Sequence, residues 1–399
     1  MKPLKVMFIA PADLPIPAVL GGGMEQLLQN IIEVNENEQK LRIQVLTPFN
    51  KNAIELQKKF KFATFVNIKY KFYYRIYNII FRNICRWRKM FFAHYYLIKI
   101  NKIILELRPD LVIIWGNDEH ILSISKVVSK EILYYCQATL RFENLDKFDL
   151  CSKILLGSNH TINEISKASG YKLIDKLFRL QSAIDINYFS NNFGEIEKVN
   201  TKKQMNFCDN YPIISYLGRI VESKGALILL NSALILKEKG VKFNLLLLGN
   251  LGSGFGKNNN IIDAGENAKL QQKINLLKDN CIHTGFVTTE LLPLHMSIVD
   301  IGVVPSIVED VSPLTYFQWQ AMGISTVVSD AGGIPEFFSD DYSLMFKRGE
   351  NMEEELANHL EFLINNPETR RNMGQNALRM RPILSKQRYY NDLVDLVLN

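Results

Sequence analysis

Two stretches of this 399-residue chain hold side chains whose types and spacing suit recognition of a diphosphate. In Leu217-Gly218-Arg219-Ile220-Val221-Glu222-Ser223-Lys224-Gly225 an apolar run ends at a glycine, and two cations follow it five positions apart. Gly218 permits a tight turn. The helix that follows offers unbonded N–H groups and the positive end of its dipole, and Arg219 and Lys224 can reach one diphosphate between them. Cations at a strand end are also often merely solvated, so the pattern takes its meaning from its surroundings. The second stretch, Pro305-Ser306-Ile307-Val308-Glu309-Asp310-Val311-Ser312-Pro313-Leu314-Thr315, again leaves a strand and enters a helix. An acid in this loop can accept from ligand hydroxyls, and the N–H groups of Leu314 and Thr315 can donate to phosphate oxygens. Ser312 as N-cap, with Pro313 at the first helical position, is a structural role open to the same residues. It leaves the Glu309-Asp310 pair unexplained.

The elements that must position these groups are short apolar runs alternating with longer amphipathic stretches, the pattern of parallel βαβ units with both sheet faces covered. In the first half, Lys5 to Ala10 reads as a strand and Gly21-Gly22-Gly23 as a turn. Met24 to Val34 reads as a helix with Leu27, Leu28, Ile31 and Ile32 on one face. Further strands are expected at Ile43 to Thr47, Leu111 to Trp115, Ile132 to Cys136 and Lys153 to Gly157. The second half restarts with strand Ile213 to Leu217, helix Ala226 to Lys239, strand Phe243 to Leu248, helix Glu266 to Lys278 and strand Cys281 to His283. Helix Glu290 to Ser297, strand Ile301 to Val304, helix Pro313 to Met322 and strand Ser325 to Ser329 complete it. Asn187 to Asn210 is polar and unpatterned, as an interdomain linker should be. The expected division is 1–190 and 191–382, with 383–399, beyond an interruption at Gly374 to Pro382, able to swing back onto the first domain.

Length and an apolar content of 47% fit two such domains. Cys85, Cys136, Cys151, Cys208 and Cys281 are scattered, odd in number and form no Cys-x-x-Cys pair, so neither a disulfide framework nor a zinc site is suggested. His120, His160, His283 and His295 have no metal-ligand spacing and read as structural. The run Val6 to Ala10 is too short for a signal-peptide core, and no stretch approaches the roughly 18 apolar residues of a spanning helix. A cytoplasmic location is expected. The net charge of +6 is uneven: between Glu55 and Glu106 there is no acid against a dozen Lys and Arg. Within that span Arg82, Arg86, Trp87, Arg88 and Lys89 mix cations with an aromatic ring, which suits contact with anionic head groups at the inner face of the plasma membrane. A helix packed on its own domain with solvated charges would read the same. No nucleic-acid-binding motif accompanies the charge, and nucleic acid is not an expected partner.

Taken together, these motifs resemble the family 4 retaining glycosyltransferases (glycosyl transferases group 1), whose GT-B fold sets two Rossmann-like α/β domains facing each other across a cleft. Gly22-Gly23-Met24-Glu25 resembles the family's Gly-Gly-x-Glu turn, Ser182-Ala183-Ile184-Asp185 its Asn-Gly-Val-Asp, and Gly218-Arg219 with Lys224-Gly225 its diphosphate clamp. Gly285-Phe286-Val287 resembles the loop whose backbone meets the base. Gly323, Val327-Val328-Ser329-Asp330 and Gly332-Gly333-Ile334-Pro335-Glu336 resemble the stretch that follows the family's paired glutamates. Counting back from Gly323, that Glu-x7-Glu pair falls on Asp310 and Gln318; a shift of one would give Glu309 and Phe317, which is chemically worse. Gln137 stands where members often carry a histidine, and Asn117 and Asp118 stand where a His-rich acceptor loop is common, with plain loop polarity the other reading.

The resemblance implies transfer of a sugar from a nucleotide diphosphate to the hydroxyl of a glycan or lipid-linked acceptor, with retention and with no cofactor or required metal. Its site would comprise Arg219, Lys224, Asp310 and Gln137 at the reacting centre. Gly22, Gly23, Gly218, Gly249, Phe286, Val287, Pro313, Leu314, Thr315 and Gln318 would bind the donor, and Asn117 and Asp118 the acceptor. Gln318 can still accept and donate toward a ribose, without charge. Two rivals stand beside this reading: a catalytically silent subunit of an active partner, favoured by Gln318 and Gln137, and a non-hydrolysing nucleotide-sugar epimerase, whose catalytic acids and histidine have no visible counterpart.

Overall fold

The computed structural model describes residues 3–69, 95–128, 130–137, 145–207, 211–252 and 264–398. It divides into two compact units, residues 1–181 with 389–399, and residues 182–388. The first unit carries β1 (Leu4–Ile9), α1 (Gly23–Glu38), β2 (Leu41–Pro48), α2 (Lys51–Gln57), β3 (Thr64–Ile68), α3 (Tyr95–Leu107), β4 (Leu111–Trp115), β5 (Glu131–Cys136), β6 (Lys153–Leu156), α4 (Asn159–Ala168) and β7 (Leu177–Arg179). Its seven strands form one parallel sheet in the order β3-β2-β1-β4-β5-β6-β7. The apolar face recognised in α1 is buried, with Leu27, Leu28, Ile31 and Ile32 wholly inaccessible.

The second unit carries α5 (Glu195–Gln204), β8 (Ile213–Leu217), α6 (Ala226–Glu238), β9 (Asn244–Leu248), α7 (Ala264–Leu276), β10 (Cys281–Gly285), α8 (Leu292–Met296), β11 (Ile301–Val304), α9 (Leu314–Ala321), β12 (Ser325–Ser329), β13 (Ser343–Phe346), α10 (Met352–Asn365) and α11 (Pro367–Ala377). Its strands run parallel in the order β10-β9-β8-β11-β12-β13. Leu245 to Leu248, an unbroken apolar run, fills a strand buried on both faces, as helices on either side of a parallel sheet require. The closing helix α12 (Lys386–Leu398) begins in the second unit, and its part from Tyr389 onward belongs to the first. There the Tyr390 hydroxyl donates to Asn35 Oδ1 at 2.6 Å, and Lys153 Nζ donates to the Leu396 carbonyl at 2.6 Å.

Three expectations need correction. The segment read as a structureless linker holds α5, whose only apolar side chains, Ile196 and Val199, are exposed, Ile196 by 78%. It is held at its start by Glu197, which accepts from the Gly194 N–H at 2.9 Å, so the helix has no buried stripe for a periodicity to reveal. The boundary lies at Gln181/Ser182 rather than near 190, because Ser182 onward is tied to the second unit: Ile184 N–H donates to Leu384 O at 2.8 Å, Lys386 N–H to Ile184 O at 3.0 Å, and Arg381 to the Phe189 carbonyl at 3.0 Å. Gly374 does not interrupt a helix but sits inside α11, where a Cβ would come within 2.2 Å of the Gly323 carbonyl oxygen; it lets the helix lie on that backbone.

Candidate functional site

In the second unit the strand order reverses between β8 and β11, and open α/β sheets hold ligands beyond the carboxyl ends of strands at such a point. Both sequence stretches open there. After β8 come Gly218, at φ 136°, then Arg219, a single 3-10 turn Glu222–Lys224, and Gly225, at φ 76°. Gly225 answers a close approach: a Cβ would lie 1.7 Å from the Pro305 carbonyl oxygen, so the turn bearing Lys224 rests on the loop after β11. The Ile307 and Val308 N–H groups both donate to the Ser223 carbonyl, at 3.2 and 3.3 Å. Glu266 Oε1, at the start of α7, accepts from the Glu222 N–H at 2.5 Å.

This joining brings Lys224 Nζ to Asp310 Oδ2 at 2.7 Å, and the same oxygen accepts from Ser306 Oγ at 3.0 Å. The Lys224 side chain is 33% exposed and that of Asp310 15%. Arg219 is half-buried, and its carbonyl accepts from the buried Tyr216 hydroxyl at 2.6 Å. Burial pushes the Tyr216 phenol above its ordinary range, with Arg219 opposing and Asp310 adding to the shift, so it stays a neutral donor beneath the turn.

Asp310, not Glu309, is therefore the acid that meets the cation. Glu309 is drawn aside by Arg348, whose guanidinium donates to Glu309 Oε1 and to the Ile307 carbonyl, both at 2.8 Å, and to Asp330 Oδ1 at 3.0 Å. Burial works against the Arg348 charge, but the two carboxylates outweigh it and hold its pKa above the ordinary value. Gly332, at φ 57°, presses on the backbone of Asp310, where a Cβ would lie 2.5 Å from the carbonyl oxygen, and the Gly333 N–H donates to that oxygen at 2.7 Å. Ser312 is not the N-cap residue: Pro313, extended at ψ 110°, takes that position of α9. Leu314, Thr315 and Gln318 are half-buried while Tyr316, Phe317, Trp319 and Gln320 are buried, so one open face of α9 carries all three donor-site candidates on that helix.

Glycines also end the neighbouring strands. Gly249, at φ 143°, would place a Cβ 1.9 Å from the Gly218 carbonyl oxygen, and its N–H donates to Gly285 O at 3.0 Å. Gly218, Gly249 and Gly285 thus form a backbone shelf without side chains, continued by half-buried Phe286 and Val287. His283 supports the shelf, with Nε2 at 2.8 Å from Gly249 O.

The first unit shows the same topological reversal between β1 and β4. After β1, Gly22, at φ 105°, is the N-cap of α1, and a Cβ there would meet Glu25 Oε2 at 2.1 Å. The Met24 carbonyl accepts from Trp115 Nε1 at 2.9 Å, so Gly23 and the rest of the turn are held from β4. Burial, reinforced by Asp13 and opposed by a backbone hydrogen bond, raises the Glu25 carboxyl to about 7. After β4, Asn117 caps a 3-10 turn through the Glu119 N–H at 3.1 Å and lies 3.2 Å from His120 Nε2, while Asp118 pairs with Lys147. Both residues have local structural partners. Gln137 follows β5, half-buried. Arg82, Arg86, Trp87, Arg88 and Lys89 lie outside the described residues. Among the described residues no group of His, Cys, Asp and Glu is arranged to hold a metal ion, and no helix is long and apolar enough to cross a membrane.

Sequence reasoning missed Ser306, Tyr216 and Arg348. Ser306 and Tyr216 sat inside recognised segments as unremarked polar groups. Arg348 follows β13, a strand too short and mixed to be recognised, and its partners lie 18 and 39 positions away.

Two parallel α/β sheets flanked by helices, each with its loops gathered at a reversal of strand order, define a protein of the GT-B class, the two-Rossmann architecture. The model of the family of glycosyl transferases group 1 matches residues 197–380 of this chain. It is 27% identical over 145 residues to the lipopolysaccharide 1,2-N-acetylglucosaminetransferase of Salmonella typhimurium, and 25% identical over 171 residues to the alpha-D-kanosaminyltransferase of Streptomyces kanamyceticus. These alignments cover 35% and 42% of this chain and span 36% and 40% of the relatives' own length. Among solved structures, Anabaena Alr3699/HepE in complex with UDP and glucose superposes with a TM-score of 0.76 at 16% identity, covering 99% of each chain. A glycosyltransferase from Rickettsia africae superposes with a TM-score of 0.75 at 14% identity, covering 99% of this chain and 98% of the other.

Proposed function

We propose that this chain transfers a glycosyl residue, with retention of configuration, from a nucleoside-diphosphate sugar to a hydroxyl of a glycan or lipid-linked acceptor in bacterial surface polysaccharide or glycoconjugate synthesis. The observation that carries the reading is the pairing of Lys224 with Asp310 beside Arg219, in the loop that leads into α9. A diphosphate within reach of Lys224 competes with Asp310 for the ammonium and frees the carboxylate to accept from sugar hydroxyls. As the bond from sugar to phosphate breaks, charge grows on the leaving oxygen, where Arg219, Lys224 and the N–H groups of Leu314 and Thr315 stabilise it. The leaving phosphate takes the proton of the attacking hydroxyl, so the new glycosidic bond forms on the face from which the diphosphate departs. These cations carry the charge neutralisation that a metal supplies in other transferases, and the proposed reaction requires none.

The glycine shelf of Gly218, Gly249 and Gly285 would admit the nucleoside against bare backbone, with Gln318 on the open face of α9 for the ribose. Uridine is the first base to test, since UDP and UDP-glucose are bound by the Anabaena protein of like fold. The acceptor would be glycan in character, by analogy with the lipopolysaccharide transferase relative. Contact of Arg82, Arg86, Arg88 and Lys89 with the inner face of the plasma membrane belongs to the same proposal. Flotation with anionic liposomes tests it, and retention of binding after neutralising all four would reject it. The donor reading is tested by thermal shift and donor hydrolysis across UDP-, GDP- and dTDP-sugars. Stabilisation with hydrolysis supports a transferase, and stabilisation without turnover on any glycan acceptor supports a binding subunit.

A further inference from the structure

We infer that Arg348 is a positioning residue of this site, acting through Asp310 without touching the donor. Its guanidinium sits where three loops meet. It holds the loop after β11 at two points, the Ile307 carbonyl and Glu309 Oε1, and ties both to Asp330 at the end of β12. Its own N–H donates to Asp330 Oδ1 at 3.1 Å, so the backbone after β13 is fixed to the same carboxylate. The clamped loop is the one that meets the phosphate turn, through the Ile307 and Val308 N–H groups on the Ser223 carbonyl. Asp310 follows Glu309 directly, with Gly332 and Gly333 against its backbone.

The consequence is an asymmetry in the Lys224–Asp310 pair. Asp310 is held by its backbone and by Ser306, whereas Lys224 reaches it on a flexible four-carbon stem. The carboxylate is the fixed point and the ammonium the arm. The planar fork of an arginine can hold a carbonyl and two carboxylates at once, which a lysine cannot reproduce. Removing the fork lets Glu309 and Asp310 compete for Lys224, and the acid aimed at the ligand loses its definition.

Two measurements test this, and only the second rests on the proposed function. In the first, a stability cycle of Lys224→Met and Asp310→Asn without ligand is run in the wild-type and Arg348→Met backgrounds. A coupling of about three-fold or more in the unfolding equilibrium is expected with Arg348 present, falling below about 1.5-fold without it. Equal coupling in both backgrounds overturns the inference, whether or not any nucleotide binds. In the second, Arg348→Met is expected to lower kcat for donor turnover by about ten-fold while the Kd for free UDP moves less than about three-fold, and to add nothing to the loss already caused by Asp310→Asn. Arg348→Lys should rescue only in part. Losses that multiply in the Asp310→Asn background, or full rescue by lysine, would show a general structural role instead. Absence of any UDP binding to the wild type would count against the donor reading alone, and the ligand-free cycle would still decide the role of Arg348.

Discussion

At the scale of single residues, the site depends on which acid meets which cation. Asp310 and Glu309 are adjacent and chemically alike, yet one pairs with Lys224 and the other with Arg348. Asp310→Asn and Glu309→Gln are therefore expected to differ in kind. The first should lower donor turnover deeply but measurably, while the second should lower it less and act only through the loop. Steady-state hydrolysis of the same nucleotide sugar by the two variants is the check, and equal losses would contradict the division of roles. Glu25 gives a separate prediction. Its carboxyl lies at about 7 in the folded chain against 4.5 ordinarily, so the folded state holds the proton more tightly than the unfolded one. The resulting cost is absent below about pH 4.5, grows as pH rises, and is complete above about pH 7. Glu25→Gln should thus melt close to wild type near pH 4.5 and several degrees higher at pH 8 in thermal scans. A difference independent of pH would exclude the buried carboxyl as its cause.

Among the elements, the strands that position the site were legible in the sequence because burial on both faces makes them continuous apolar runs; Leu245 to Leu248 and Val303-Val304 are examples. The turn after β8 was legible because its glycines punctuate that pattern. β13 and the helix α5 were not, since one is four residues of mixed character and the other has no buried stripe. The meeting of the turn after β8 with the loop after β11 was equally invisible, although Gly225 marks it. Gly225 and Gly240 share nearly the same φ, 76° and 75°, but a Cβ at Gly240 meets nothing within 4 Å. Both alanine variants carry the conformational strain of roughly 1 kcal/mol, and Gly225→Ala carries the clash with Pro305 as well. Denaturant unfolding should show Gly225→Ala less stable than Gly240→Ala by about 2 kcal/mol or more. Equal values would mean that the turn and the β11 loop do not touch.

For the whole molecule, the division into two α/β units was readable from the restart of the strand–helix alternation near Ile213, while the placement of their boundary was not. Polarity pointed to Asn187 to Asn210, whereas Ser182 to Phe189 is claimed by the second unit through Arg381 and Leu384. The last helix shows the same gap between pattern and partner. Tyr389, Tyr390 and Leu393 are wholly buried, and Tyr390 is bonded to Asn35 on α1. A chain ending at Arg388 should lose amide protection in β1 and β2 first, with β9 and β11 little affected, as hydrogen exchange can resolve. Uniform loss across both sheets would contradict the assignment of this segment to the first unit. The proposed binding of a nucleoside diphosphate by the β8 turn bears most directly on what the molecule does, and thermal shift with UDP on wild type beside Arg219→Ala and Lys224→Met measures it. A rise in the wild-type melting temperature that both variants lose, while melting normally without ligand, is the expected result; stabilisation undiminished in either variant would contradict it.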